Sequence, residues 1–153
     1  MSARRVDRVL VLNAGSSSLK WSVLDAHTEA VLADGTATWE GAEQGRHEAE
    51  LADALREAPD VDAIGHRVVH GGDRFRSAAL VDGSVREGIA TFAELAPLHN
   101  PAALAGIDAA AQRFPGVPQV AAFDTAFHAT IPDAAALYPL PWQWTQNLSL
   151  IHI

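Results

Sequence analysis

Apolar and polar residues alternate with a period of two in the first third of the chain and take helical spacing later. Val9 to Leu12 is an apolar run ending in Asn13, and Leu19 to Leu24 alternates with Leu19, Trp21 and Val23 on one side. Successive side chains of a strand point to opposite faces, so two short strands joined by a tight Gly/Ser turn are predicted. A third strand is predicted at Ala30 to Trp39, where Asp34-Gly35 adds a further turn signal. The three strands would run antiparallel in succession.

From Glu43 to Ala58 the pattern becomes helical and charged, with Leu51 and Leu55 at i, i+4 on the buried side and Pro59 as its stop. "VDAIGHRVVHGG", Val61 to Gly72, is β-rich and closes on paired glycines, as a strand running into a loop does. Val85, Ile89, Phe92 and Leu95 again have helical spacing. In "HNPAALAGIDAAAQRFPG", Asn100 is the predicted N-cap and Pro101 the first helical residue, with Leu104, Ile107 and Ala111 on the apolar face and Gly116 as the end. "PQVAAFDTAFH" is a buried strand delivering Asp124 at its carboxyl end. The order βββ, α, β, αα, β points to a layered α/β domain with a mixed sheet.

Composition narrows this picture without changing it. A chain of 153 residues is one domain or a piece of one, given typical domains of ~100–200 residues. No repeat, low-complexity segment or flexible linker marks an internal boundary. A formal net charge of −8 argues against nucleic acid or an anionic membrane as the main partner. With no cysteine there is no disulfide framework and no thiolate nucleophile, which fits a reducing cytosol. Arg4, Arg5 and Arg8 precede only "VLVL", too short for a signal-peptide core, and no stretch approaches the ~18 apolar residues of a membrane span.

Four stretches carry groups with chemistry. "NAGSSSLK" lacks the spacing of a Walker A loop, but a Ser-rich turn can offer N–H groups and hydroxyls to a phosphate. Lys20, the sole lysine of the chain, would add a point charge. The plainer alternative is a solvated β-turn. In "GHRVVHGG", His66, Val68 and His70 share one face and Arg67 and Val69 the other. Arg67 could clamp a small carboxylate or phosphate beside an apolar wall, or could pair with a local carboxylate. His99, before a helix start, could meet an anion or sit exposed in a loop. Asp124 lies at a strand's carboxyl edge, where open α/β sheets gather catalytic groups, or else it caps the next turn.

Together, "VLVLNAGSSSLKWSVLD", "GHRVVHGGDRF", "ELAPLHNPAALAGI" and "PQVAAFDTAFHATIPDAAALYPLP" closely resemble the acetate kinase family, in its order and with its intervals, from about Val9 to Trp144. The resemblance implies a ribonuclease-H-like, actin-like ATPase fold, this chain being the N-terminal portion of a two-domain kinase. It also implies Mg²⁺-dependent transfer of the ATP γ-phosphoryl to acetate or another short-chain carboxylate, giving acyl phosphate and ADP, by a cytoplasmic homodimer. By the same resemblance Asn13 is the metal-associated asparagine, and Ser16, Ser18 and Lys20 serve the nucleotide. Arg67 binds the carboxylate, Val69 and Leu98 flank its methyl group, and His99 and Asp124 are catalytic. A carboxylate is already ionised near neutral pH, so Asp124 reads better as a metal-organising or orienting group than as an obligatory proton acceptor. A propionate or butyrate kinase and a non-catalytic nucleotide-binding descendant are the alternatives.

Family members are well over twice this length, and nothing here matches their second half. Residues 1–146 read as an incomplete family domain and 147–153, "NLSLIHI", as an off-family tail from a truncated or misread end. The expectation is that the 153-residue chain alone does not phosphorylate acetate. Acetate-dependent ADP formation above background by the purified chain would overturn it.

Overall fold

A computed structural model describes residues 5–38, 46–136 and 141. Among them, six strands form one mixed sheet: β1 (Arg8–Ala14), β2 (Ser18–Asp25), β3 (Val31–Thr38), β4 (Ala63–Val68), β5 (Ala79–Leu80) and β6 (Gln119–Phe123), in the order β3-β2-β1-β4-β6-β5. The helices are α1 (Arg46–Arg56), α2 (Gly83–Thr91), α3 (Asn100–Arg113) and the short α4 (Asp133–Ala136). The first three strands pair antiparallel, as their alternation predicts, while β1, β4 and β6 run parallel. The α/β class and the mixed sheet are therefore as expected.

Alternation decides which face is buried. Leu10 and Leu12, Leu19, Trp21 and Val23, and Ile64 turn to one side and pack against Leu51 and Leu55 of α1 and Ala109, Ala110 and Phe114 of the α3 end. Val68, Ala121 and Phe123 continue that face into a second cluster with Val85 and Ile89 of α2 and Ala103 and Ile107 of α3. There the Phe75 and Phe123 rings stack with centroids 4.5 Å apart. Helix α3 spans both clusters, so the sheet and the helix layer fold as one unit.

Several boundaries differ from the sequence reading. Asp34-Gly35 makes no turn but lies inside β3, where Gly35 pairs with Trp21. A Cβ on Gly35 would come within 2.6 Å of the Trp21 indole, so the glycine is there for close approach. Strand β4 stops at Val68, short of Gly72, and β6 stops at Phe123, followed by a 3₁₀ turn over Asp124–His128. The two-residue edge strand β5 is too short for any periodic signal. The helical spacing from Val85 to Leu95 breaks at Thr91, and Phe92–Glu94 is a 3₁₀ turn. The reason is local: the Ile89 carbonyl accepts from the Asn100 side chain, and Leu95 N–H closes a tighter turn on Phe92.

The start of α3 also shifts by one residue. His99, not Asn100, occupies the N-cap position, without a capping side-chain bond, because the Asn100 carboxamide is turned inward and used elsewhere. The part of the predicted helix before Arg46, Trp39 of the predicted third strand and the 147–153 tail lie outside the described residues.

Overpacking a filled core costs ~1–3 kcal/mol. Gly35→Ala, which drives a methyl into the Trp21 indole, is therefore expected to lower the urea midpoint by that equivalent, followed by Trp fluorescence.

Candidate functional site

The parallel register collects the predicted site at one edge of the sheet. Asn13 pairs with Lys20 across β1 and β2, and the Leu12–His66 pairing sets Arg67 beside Asn13. Asp124 follows the end of β6, the strand next to β4. Lys20, Asn13, Arg67 and Asp124 thus form a row across four neighbouring strand positions, β2-β1-β4-β6. Asn13, Lys20 and Arg67 alternate with the residues that pack on the helices, and Asp124 stands just past the end of β6.

Next to this row is an open cleft of about 250 Å³, lined by Asn13, Ala14, Gly15, Ser16, Ser17, Ser18, Lys20, Arg67, Val69 and His99. The Ser loop is a tight hairpin turn, and it also lines the cleft. Gly15 N–H donates to the Ser18 carbonyl at 2.8 Å, closing a hairpin whose tip forms one cleft wall. Val69 and His99 line the cleft as well. Leu98, by contrast, is 68% exposed and does not line the cleft. Among the described residues, no Asp or Glu lines it either.

Arg67 connects the cleft to Asp124. Its Nε donates to both Asp124 carboxylate oxygens at 3.0 and 3.1 Å, and Nη2 donates to Oδ2 at 2.7 Å. Nη1 reaches Asn13 Oδ1 at 3.4 Å. This side-on fork raises the guanidinium's proton affinity still further, chiefly through the Asp124 hydrogen bonds. Side chains 52% and 39% exposed gain little from such a pair, ~0–1 kcal/mol at a solvated surface. Its value is geometric. One edge of the guanidinium is held by Asp124, and the other edge faces the cleft.

Asp124 itself belongs to a second, wider depression with Arg67, Ala122, Phe123 and Phe127. Arg67 is the residue common to both. Of the sequence alternatives for Arg67, the ion pair is present, and the same side chain lines the cleft. As for metal, no group of three or more His, Cys, Asp or Glu that could hold an ion occurs among the described residues. The neutral oxygens of Asn13 and the serines suit a Mg²⁺ ion that arrives on phosphates, since that ion keeps several waters and few protein ligands.

The two histidines that the alternation separated from Arg67 are both buried, His66 on β4 and His70 two residues past its end. His66 Nε2–H donates to Gln119 Oε1 at 2.6 Å, and His70 Nδ1 accepts from Gly72 N–H at 3.0 Å. Both are satisfied interior groups. The residues that sequence reasoning missed are Asn100 and Thr125. Asn100 precedes Ala103 and Ile107 at i+3 and i+7, so its place on the buried stripe was a readable signal.

Comparison with known proteins gives a consistent result. A sequence model of the Acetokinase family matches residues 47–152. The acetate kinase of Thermotoga maritima is 42% identical over an alignment covering 94% of this chain and 43% of that protein. Among solved structures, a propionate kinase from Francisella tularensis has a TM-score of 0.73 at 36% identity, covering 93% of this chain and 43% of that one. An acetate kinase from Porphyromonas gingivalis has a TM-score of 0.74 at 30% identity, covering 92% and 43%. The chain thus spans about two fifths of the length of these relatives.

Burial pushes the His66 pKa down to about 4, partly opposed by the Gln119 hydrogen bond. In the unfolded chain the imidazole protonates near pH 6.5, so between about 6.5 and 4 only the unfolded state takes up the proton. Stability is expected to fall as pH drops through that window, by about 3 kcal/mol in total. Urea midpoints measured across it should show the decline, and His66→Leu should remove this component.

Proposed function

This chain belongs to the acetokinase family, and from that membership we propose that it forms the carboxylate- and phosphate-binding side of an ATP-dependent acetate kinase. The observation that carries the reading is the cleft lining. In a chain of net charge −8, the one described cleft bearing the Ser loop has Lys20, Arg67 and His99 on it and no carboxylate. Such a site attracts anions and repels none, as a kinase needs when two anionic reactants must meet.

In this reading the cleft-facing edge of Arg67 takes the substrate carboxylate in a forked pair, the geometry in which arginine outperforms lysine. The substrate methyl lies against Val69. Ser16, Ser18 and Lys20 hold the γ-phosphoryl group, with Asn13 beside them. A carboxylate oxygen attacks the γ-phosphorus in line, a new P–O bond forms, and the bond to the β-phosphate oxygen breaks to release ADP. Mg²⁺, when bound with the nucleotide, supplies charge neutralisation on the phosphates. His99 adds a donor from the start of α3.

Asp124 has a particular part in this scheme. Both its oxygens are engaged by Arg67, and the ionised nucleophile has no proton to give up. Its role is to orient Arg67. A propionate substrate is the second reading, supported by the likeness to the Francisella propionate kinase. One methylene changes affinity by only ~1–3 kcal/mol in an apolar pocket, so the two acids are close competitors. A cytoplasmic homodimer is the form we propose for the complete enzyme. No described helix is long and apolar enough to cross a membrane.

The decisive assay is carboxylate-dependent ADP formation from ATP and Mg²⁺ by a chain carried to the relatives' full length. Loss of a charge-assisted fork costs ~1.5–3 kcal/mol. Arg67→Ala should therefore raise the acetate KM about ten- to a hundredfold, and Arg67→Lys should recover only part of it. An acetate KM left unchanged in Arg67→Ala would sink the assignment.

A further inference from the structure

The backbone after β4 leaves the sheet at Val69 and still runs through the protein interior. It has lost its ladder partners there, and buried backbone groups without partners are costly. Two buried side chains take their place. Asn100, fully buried, accepts from His70 N–H at 3.2 Å and donates from Nδ2 to the His70 carbonyl at 2.9 Å. The same Nδ2 reaches the Ile89 carbonyl at 3.3 Å. Thr125, 6% exposed, accepts from Gly71 N–H at 3.0 Å through Oγ1, and its own N–H reaches the Val69 carbonyl at 3.4 Å.

Asn100 bonds His70 as a neighbouring strand would, with one donor and one acceptor to the same residue. It does so from the first residue of α3, directly after His99. Thr125 does its part from the residue directly after Asp124. Each clamping residue is therefore the sequence neighbour of a predicted site residue, and the segment they grip begins with a third, Val69.

We propose that Asn100 and Thr125 form a two-sided clamp that positions Val69 against Arg67 and His99, and so sets the apolar wall of the carboxylate site. They are positioning residues and touch no reactant. The claim about the acid rests on the carboxylate-binding reading of Arg67; the claim about Val69 does not. Displacing a cleft wall by a fraction of an ångström is enough to weaken a small ligand that packs its methyl group on that wall. An error near 1 Å in a reacting geometry costs up to ~100-fold.

The test uses the 153-residue chain and Asn100→Asp, Asn100→Leu and Thr125→Val. Val23→Ala, in the core cluster that α1 covers, is the control for lost stability. Two readouts are followed by NMR: the Val69 methyl resonances without ligand, and the response to titrated acetate and propionate. The clamp variants should shift the Val69 methyls, weaken acetate by about tenfold and change the acetate-to-propionate ratio. Val23→Ala should lose stability and leave Val69 and the ratio alone. Should the Asn100 variants fail to fold, Thr125→Val, an isosteric change, decides the matter on the same two readouts. Folded clamp variants with unmoved Val69 methyls, or a Val23→Ala that moves them equally, would overturn the proposal. If the unsubstituted chain ignores both acids, the acid titration is repeated on a chain carried to the relatives' full length, where silence would sink the Arg67 reading, and the Val69 methyls still judge the clamp.

Discussion

Strand β4 is flanked on both sides by parallel neighbours, and that pairing governs everything described above. A strand held between β1 and β6 cannot slip by one residue without sending Arg67 into the core and Ile64 and Val68 into water. Burial of the apolar set therefore fixes where the guanidinium emerges. The same pairing fixes Asn13 on one side of it and Asp124 on the other. The ion pair contributes little to stability; the hydrophobic face holds the charged row in place, and the charges then orient each other.

Charge is distributed along the sheet in the same sense. Asp7, Asp25 and Asp62 gather at the end of β1 remote from the cleft, where Asp62 Oδ2 accepts from the Asp7 and Arg8 amides. His27 and Arg5 pair with Asp7 there. At the other end Lys20 and Arg67 line the cleft, the charge of Arg67 being paired with Asp124 just outside it.

The sequence made legible whatever depends on local periodicity. Alternation in β1 and β2, the Leu51–Leu55 stripe of α1, the presence of α3 and the two faces of β4 all read directly. So did the gathering of Asn13, the Ser loop, Arg67, His99 and Asp124, though through the family resemblance and not through spacing. What stayed hidden depends on distant partners. Gly35 signals a turn until Trp21 lies across it, and Asn100 signals a cap until the His70 backbone claims its carboxamide. Leu98, expected at the acyl pocket, is exposed in this chain. Local codes name the residue type a position tolerates; long-range register names its partner.

Lys20, read so far as a charge, is also the chain's only side-chain amine, and it is exposed on the cleft wall. Amine-reactive reagents consequently meet one lysine, with the α-amino group as the single other primary amine. Acylation or a fluorescent label at that position reports on the cleft and on no other surface. The arginine-rich composition, unremarkable for folding, turns the cleft into a site that chemistry can address alone.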